Sequence, residues 1–458
     1  MSFPDPAAAR ALLVHGLGRR AFLRAATALT ATGGAGALAA CDAQSTSVPA
    51  ARQTGGSTAP GTPLQPGSGP IDGDHYLQST LDTVRWGYVP AIGAAPSLRI
   101  ASGATVTIDT VSHEGILEDQ GRDPVTYFGG HGVAQDGVLT DAVAIARDYA
   151  RTPRDFDVDG PHVITGPVYV EGAQPGDVLK VETLSALPRV PYGVVSSRHG
   201  KGALARASDG GAPAGITPDE VLPPIATDGR ASGDPRAYGN VSVFTAVRAT
   251  DGGPVGVMPY GDREVTFPLR PFMGTMGVAH TAAASETAPE LNSIPPTLGG
   301  GNIDIRLLGP GSAFYLPVHG EGALFYVGDP HLAMGDGEVA LTALEGSLRA
   351  TFRLTVCKPG SGAAPSVAYR YPFAETTDAW VPIGLSDLDG AANGQVSDLD
   401  VAMRRAVVNA LDFLEHDQGM DRPTAYAYLS AAADFTISQV VDRTVGVHGV
   451  ITKSHFRA

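Results

Sequence analysis

Cysteine is scarce in this sequence: 458 residues include only two, Cys41 and Cys357. The chain could therefore form one disulfide at most, and none if Cys41 is modified. Long hydrophobic runs are also missing after residue 40, where nothing approaches the ~20 apolar residues that a transmembrane helix needs. The folded part of the chain is expected to depend on a hydrophobic core rather than on disulfides or a bilayer.

Basic residues are outnumbered by acidic ones, 32 Lys and Arg against 47 Asp and Glu, and the formal net charge is −15. A chain with this charge repels the phosphate backbone of nucleic acids. No segment combines clustered Lys and Arg with interleaved aromatic residues. We therefore predict that nucleic acid is not a partner.

Glycine and proline are plentiful, with 58 and 36 residues, and both favour turns over helix interiors. Apolar and polar residues alternate in three segments, 97–109, 162–184 and 349–356, as is typical of half-buried strands. These features predict a mainly β fold, built from β-sandwich or barrel modules, with a few C-terminal helices.

Helical patterns are convincing in three places, 136–148, 397–416 and 423–433. In the second, Ser397 resembles an N-terminal capping residue. An apolar stripe predicts the buried face of this helix. The stripe consists of Leu399, Met403, Val407, Ala410, Leu411 and Leu414.

The N-terminal segment has the features of a bacterial export signal. Arg19–Leu23 contains an arginine pair followed by Phe-Leu, and the apolar segment Ala25–Ala37 is too short to span a membrane. Leu38–Cys41 resembles a lipoprotein processing site, at which Cys41 would be acylated; the alternative is simple cleavage of the leader. We predict a twin-arginine-type signal over residues 1–40 and a location in the cell envelope, lipid-anchored on the outer side of the cytoplasmic membrane, or secreted.

Composition divides the rest of the chain. Residues 41–72 are rich in Ser, Thr, Pro, Gly and Ala, which predicts a flexible tether. The chain is expected to contact the membrane only through its N-terminal lipid anchor. Residues 73–458 are predicted to fold, with the Ala-, Gly-, Pro- and Asp-rich segment 205–240 as a surface insertion.

The densest cluster of polar residues lies between two predicted strands, Ala323–Val327 and Val339–Leu344. It has the spacing D-x-H-x4-D-x-E and includes glycines that allow close backbone approach. The cluster consists of Asp329, His331, Asp336 and Glu338. Imidazole and carboxylates together can bind zinc or a harder divalent cation. The alternative is a charged hairpin whose acids stabilise their own turn.

Other segments carry further candidate residues. Three glycines precede Asn302 and Asp304, and a second glycine-rich stretch contains Gly274 and ends at His280. Two histidines lie close to strand ends. They are His113, in Ser112-His113-Glu114, and His162, at the start of a predicted strand. None of these patterns is specific on its own.

Four segments taken together resemble the acetamidase/formamidase family: 166–182, 270–279, 300–346 and 425–442. The resemblance extends from about residue 75 to the C terminus, so it covers the predicted folded region 73–458. It implies hydrolysis of a small aliphatic amide to carboxylic acid and ammonia, a largely β fold, a homo-oligomer and a divalent metal. Within the family motif it implies functional roles for Asp304, Asp329, His331, Asp336 and Glu338.

These patterns give a hypothesis for the site. His331, with Asp329 or Asp304, is expected to bind the metal, zinc first and calcium as the alternative; His113 and His162 are further candidate ligands. Glu338 and Asp336 are the catalytic candidates, and Glu338 is assigned to proton transfer. The substrate-binding candidates are Asn302, Gly274 and His280.

Strand geometry limits this assignment. If 338–345 is one regular strand, Glu338 and Glu345 face opposite sides, and we choose Glu338 because it adjoins the turn. Three rival functions stay open. They are nucleophilic catalysis by Cys357, an exported amide-binding lipoprotein without turnover, and a lactam-cleaving enzyme.

Overall fold

The computed structural model describes residues 61–198, 200–205, 211–223, 232–282, 291–388 and 397–456. The predicted export signal and Cys41 lie outside these residues. Within the described ranges no helix has the length and hydrophobicity to cross a bilayer. The described residues belong to one compact unit that spans Thr58–Ala458.

Two large sheets form most of the structure, which confirms the predicted mainly β fold. The first sheet has the order β1-β4-β16-β6-β13-β17-β18-β20-β19. Its strands are β1 His75–Leu77, β4 Thr105–Asp109, β6 Val178–Pro188, β13 Ala313–Pro317, β16 Leu348–Cys357, β17 Phe373–Glu375, β18 Ala379–Leu385, β19 Asp434–Gln439 and β20 Gly446–Thr452.

The second sheet has the order β10-β9-β8-β7-β15-β14-β11-β12, and β5 extends it by pairing with β14, β2 and β3. Its strands are β2 Val84–Trp86, β3 Leu98–Ile100, β5 Val163–Val170, β7 Tyr192–Arg198, β8 Asn240–Arg248, β9 Val255–Tyr260, β10 Arg263–Pro268, β11 Phe272–Val278, β12 Gly300–Asn302, β14 Phe325–Ala333 and β15 Leu344–Glu345. The main hydrophobic core takes side chains from both sheets, for example Phe352 of β16 and Phe325 of β14.

Four α-helices lie within the described residues: α1 Pro124–Gly129, α2 Thr140–Asp148, α3 Leu399–His416 and α4 Arg422–Ala432. The last three correspond to the helices predicted from the sequence. In α3, however, Asp398 rather than Ser397 caps the helix and accepts from Asp400 N and Val401 N. An ionised carboxylate is well placed there because helix N-termini favour negative charge.

The predicted apolar stripe of α3 is only partly correct. Leu399 and Met403 are 38% and 39% exposed, whereas Ala402 and Ala406 are fully buried. A Cβ added at Gly384 of β18 would clash with the backbone of both alanines. The helix therefore packs through its small residues, because these allow it to approach the sheet closely.

Residues at the end of the predicted tether contact the folded body. Leu64 is buried, and Arg349 of β16 donates to the carbonyls of Gln65, Ser68 and Pro70. The folded region thus begins before the predicted residue 73. Within the predicted insertion 205–240, the described residues include two 3-10 turns, Pro218–Glu220 and Pro235–Ala237.

A buried ion pair links two neighbouring strands of the first sheet, β16 and β4. Arg349 donates to Asp109 through Nε at 2.6 Å and Nη2 at 2.9 Å, and both side chains are at most 1% exposed. Asp109→Asn should lower the free energy of unfolding by about 3 kcal/mol, because removal of one partner leaves a buried charge unpaired. Chemical denaturation measures this change. Glu264→Gln, in the exposed pair with Arg248, is the control and should leave stability nearly unchanged, because water screens exposed ion pairs; equal effects would contradict the prediction.

Candidate active site

The centre of the site lies on β14. Asp329 and His331 are two residues apart on this strand, and their side chains meet, with Asp329 Oδ2 3.2 Å from His331 Nε2. The predicted turn at 328–338 is wrong in its first half, because β14 continues to Ala333 through its pairing with β11 and β15. The predicted strand Val339–Leu344 is also wrong, since only Leu344–Glu345 forms a strand there.

Glu345 is the residue that sequence reasoning rejected. It lies directly opposite His331 in the β14–β15 pairing, with Oε1 3.1 Å from His331 Nε2. Glu338 also reaches this nitrogen, at 3.7 Å, because the segment before β15 is irregular and Glu338 adopts a φ of +46°. The parity argument failed because it assumed one regular strand. Glu345 does lie inside the segment 300–346 that carries the family resemblance.

Two histidines from distant segments flank Asp329. His113, which follows β4, places Nδ1 3.6 Å from Asp329 Oδ1, and His162, which precedes β5, places Nε2 3.6 Å from Oδ2. His331 Nε2 is 3.2 Å from Oδ2. The topology therefore brings three of the predicted ligands and Asp329 together.

Asp304 lies on the other side of His331. Its Oδ1 is 3.9 Å from His331 Nδ1, the nitrogen that faces away from Asp329 and Glu345. The structure thus places Asp304 behind the histidine, where a carboxylate can orient the ring. Asp442, which sequence reasoning missed, is also buried and interacts with Asp304. It lies at the end of the resembling segment 425–442.

Gly274 of β11 leaves the space in which this cluster is assembled. A Cβ there would clash with Asp304 Oδ1 and would lie 2.6 Å from His331 Cε1 and 2.8 Å from Asp329 Oδ2. The predicted involvement of Gly274 therefore has a steric basis: this glycine allows three functional side chains to meet.

Burial and mutual repulsion shape the protonation of the acids. Burial raises the pKa values of four carboxyl groups, and neighbouring carboxylates add to the increase. These groups are Asp304, Glu338, Glu345 and Asp442. Asp329 differs: although burial opposes it, His162 and His331 lower the pKa of this carboxyl group. Burial lowers the pKa of His162 to about 4, so its ring is neutral at pH 7 and able to bind a cation.

Several buried polar atoms of the cluster have no hydrogen-bond partner within the described residues. They are both ring nitrogens of His113 and His331, both carboxylate oxygens of Asp304, Asp329 Oδ1 and Glu345 Oε2. An unsatisfied buried polar group costs about 1–3 kcal/mol, so such a concentration needs another partner. Imidazole nitrogens and carboxylate oxygens fit a divalent cation, and zinc better than calcium, which takes 6–8 oxygen ligands.

The cluster opens into a cavity of about 420 Å³ whose lining includes His113, Asp329, Glu338, Glu345 and Asn302. Thr275 Oγ1 donates to Asn302 Oδ1 at 2.6 Å. Since Oδ1 is already engaged, the Nδ2 group of Asn302 is the donor that this side chain can offer to a ligand. Asn302 thus lines the cavity with a donor group, and its role in substrate binding stays a prediction.

Two predicted site residues lie elsewhere. Asp336 accepts from Arg306 Nε at 2.7 Å and lines a neighbouring depression. His280 packs edge-on against His319, with ring centroids 4.5 Å apart, and is not part of the cavity wall. The structure therefore separates both residues from the cluster.

Cys357 is also remote from the site. It is buried in the main core, where its thiol faces the carbonyls of Thr355 and Ala363. Burial raises the pKa of this thiol, which opposes formation of a nucleophilic thiolate. The environment does not support the covalent alternative.

Gly274→Ala should lower both zinc binding by the cluster and activity to a small fraction of wild type, because the added methyl group needs the space of three cluster side chains. Metal analysis and kinetics on the purified variant measure this. Gly335→Ala is the matched control, since a Cβ there meets no atom within 4 Å. A fully metallated and active Gly274→Ala protein would contradict the cluster geometry.

The fold and the site define a β-rich protein with a buried imidazole–carboxylate centre, and comparisons with known proteins place it more closely. The acetamidase/formamidase family model matches residues 264–452. A formamidase of Methylophilus methylotrophus is 28% identical over 58% of this chain and 70% of its own length. An acetamidase of Mycolicibacterium smegmatis is also 28% identical, over 60% of this chain and 74% of its own length.

Solved structures agree in fold. The acetamidase from Yersinia enterocolitica superposes with a TM-score of 0.59 at 21% identity, over 87% of this chain and 96% of its own. The acetamidase from Bacillus halodurans gives 0.56 at 23% identity, over 83% and 98%. These comparisons confirm the resemblance to the acetamidase/formamidase family that the sequence segments indicated.

Proposed function

We propose that the chain is an amidase that hydrolyses the C–N bond of a small aliphatic amide, such as formamide or acetamide, to carboxylic acid and ammonia. The observation that carries this proposal is the buried cluster around Asp329 and His331 at the floor of a cavity. The similarity to a formamidase and an acetamidase supports the same reaction.

Amide hydrolysis makes three demands on a site. Resonance protects the carbonyl carbon, so water must be activated and the developing negative charge on oxygen must be stabilised. The amide nitrogen is a poor leaving group and must receive a proton before it departs. A site for this reaction therefore needs an electrophilic or hydrogen-bonding group for the oxygen and an acid for the nitrogen.

The proposal includes a divalent cation, zinc in preference to calcium, held by Asp329, His331 and Glu345. His331 Nε2 lies 3.2 Å from Asp329 Oδ2 and 3.1 Å from Glu345 Oε1, and the donor atoms of the three residues lie within 4.8 Å of one another. When bound, such an ion supplies a Lewis acid that polarises a carbonyl group and makes water more acidic.

The protein's own residues supply the other functions. The Asn302 Nδ2 group donates a hydrogen bond to the carbonyl oxygen of the substrate and orients it. Glu338 lines the cavity, and its raised pKa keeps a proton on the carboxyl group among neighbouring acids. We assign to Glu338 the transfer of this proton to the departing nitrogen, after which the resulting carboxylate takes up the proton that the attacking water loses and the acid is regenerated.

Ammonia release tests the proposal. The purified full chain, supplied with zinc, is incubated with formamide, acetamide, longer aliphatic amides and lactams, and ammonia and ring-opened products are measured. Release of ammonia from at least one aliphatic amide is expected. Saturable binding of an amide without any product would identify an amide-binding protein instead. Ring opening of lactams alone would identify a lactam-cleaving enzyme.

We also propose export by the signal over residues 1–40, lipidation at Cys41 and a homo-oligomeric state. The arginine pair and the Leu38–Cys41 sequence support the first two. Mass spectrometry of the mature protein purified from bacterial membranes should show an N terminus that begins at an acylated Cys41. An unacylated N terminus would contradict lipidation. Analytical ultracentrifugation measures the molecular mass in solution and so tests the proposed homo-oligomer.

A further inference from the structure

The donors around Asp329 fall into sets that one ion cannot combine. Ligands bound to a single zinc ion at about 2.0–2.2 Å lie no more than about 4.4 Å apart. Within the described residues, donor atoms of His113, His162 and Asp329 form one set in which all atoms lie within 4.8 Å of one another. His331 belongs to other sets, one with Asp329 and Glu345 and one with Asp304 and Glu338. Asp329 is therefore shared by a His113–His162 set and a His331–Glu345 set.

We infer that the site holds two divalent cations that share the Asp329 carboxylate, one bound by His331 and Glu345 and the second by His113 and His162. The inference rests on the proposed function only for the first ion. The class of ligand for the second position is a borderline divalent cation such as Zn²⁺, Co²⁺ or Mn²⁺, because two imidazoles and one carboxylate form its donor set.

The orientation of His162 supports this assignment. Its Nδ1 lies 3.0 Å from Ser293 Oγ, so Nε2 is the nitrogen that faces Asp329. A ring nitrogen held by a polar partner on one side and directed into a cluster on the other is the arrangement that metal-binding histidines adopt. The side chain is only 6% exposed, and it lines the cavity next to Asp329.

His113 follows the same pattern. Its Nδ1 faces Asp329, and its Nε2 is 3.4 Å from Glu114 Oε1. Glu114 is fixed in turn by Arg198 Nη2 at 2.9 Å and by Ser196 Oγ at 2.7 Å. A buried charge network thus fixes Glu114 beside Nε2, while Nδ1, which faces Asp329, has no hydrogen-bond partner within the described residues.

Asp329 has the geometry that sharing requires. Oδ1 lies 3.6 Å from His113 Nδ1, whereas Oδ2 lies 3.6 Å from His162 Nε2 and 3.2 Å from His331 Nε2. These distances exceed an ordinary N–H···O hydrogen bond for the first two contacts. They match the spacing of about 3.3–3.6 Å between donors that bind a common ion tetrahedrally. The Asp329 carboxylate therefore has one imidazole near Oδ1 and two imidazoles near Oδ2.

Metal counting tests the inference without reference to turnover. The full chain is dialysed against excess Zn²⁺, freed of unbound metal and analysed by elemental mass spectrometry. About two ions per chain are expected in the wild type, and about one in His113→Asn, His162→Asn and His331→Asn. Asp329→Asn should bind fewer ions per chain than any of the histidine variants. His131→Asn, at an exposed ring stacked on Phe244, is the control and should retain two.

A spectroscopic readout covers the case in which a variant fails to fold. Mn²⁺-loaded wild-type protein should give an electron paramagnetic resonance spectrum with spin coupling between two ions that share a carboxylate. One ion per chain in the saturated wild type, or an uncoupled spectrum, overturns the inference. A His113→Asn protein that keeps the wild-type metal count does the same. If the wild-type protein bound two ions but released no ammonia from any amide, the second metal site would stand and the amidase proposal would be refuted. The two failures are therefore distinguishable.

Discussion

His331→Ala should lower kcat/KM for the preferred amide by at least about 10²-fold, because loss of a partner that only orients a ligand already costs 10–100-fold. The side chain is completely buried, and its Nε2 is the atom on which Asp329 and Glu345 converge. The bound metal should fall in the same variant. Kinetics, elemental analysis and melting temperature on one preparation measure the three effects.

A surface histidine provides the control for this substitution. His131 stacks on Phe244 outside the cavity, so His131→Ala should keep both its metal and its rate. If a folded His331→Ala protein kept its full metal content, the cation would have to be assigned to His113 and His162 instead. If activity fell only in proportion to the fraction of unfolded protein, the cluster would have a structural role and no catalytic one.

The sequence could predict the part of the site that depends on local spacing. Asp329 and His331 lie two residues apart, and any extended backbone directs both to one face. Asp336, in the same motif, depends on the turn that follows, and its pairing with Arg306 could not be read from spacing. Motif membership alone was therefore a poor guide to position.

The remaining site residues were set by long-range pairing. His113 and His162 reach Asp329 only because β4 ends and β5 begins close to this part of β14, and no local pattern encodes that contact. Glu345 depends on its register opposite His331. The strands and the C-terminal helices were easier to predict, because alternation and helical periodicity are local. Their buried faces were less certain, as the partly exposed Leu399 and Met403 of α3 demonstrate.

Backbone conformation adds a second reason why the site was hard to predict. Asp304, Asp329 and Glu338 have φ values of +47°, +50° and +46°, in a region that residues other than glycine seldom adopt. Such conformations cost about 1–3 kcal/mol each and persist where the surrounding structure imposes them. All three belong to the buried acidic cluster, so the fold holds these carboxyl groups in place at the expense of local stability.

Glu338→Gln should reduce turnover by roughly 10² or more while the metal content and the melting temperature stay close to wild type. Glutamine keeps the shape and hydrogen-bonding capacity of the side chain but cannot carry the proton that the departing nitrogen needs. Glu345→Gln is the matched comparison, because Glu345 faces His331 Nε2 at 3.1 Å rather than 3.7 Å and is assigned to the cation. It should lower both metal content and rate.

The contrast between the two variants decides the roles of the carboxyl groups. Single-turnover rates and metal content are measured for both proteins at the same pH, with circular dichroism as a check on folding. Full activity in a folded Glu338→Gln protein would remove Glu338 from proton transfer. Metal loss in that variant would place Glu338 among the ligands, and the acid would then have to be sought at Asp442, another buried carboxyl group whose pKa is raised and which lines the cavity.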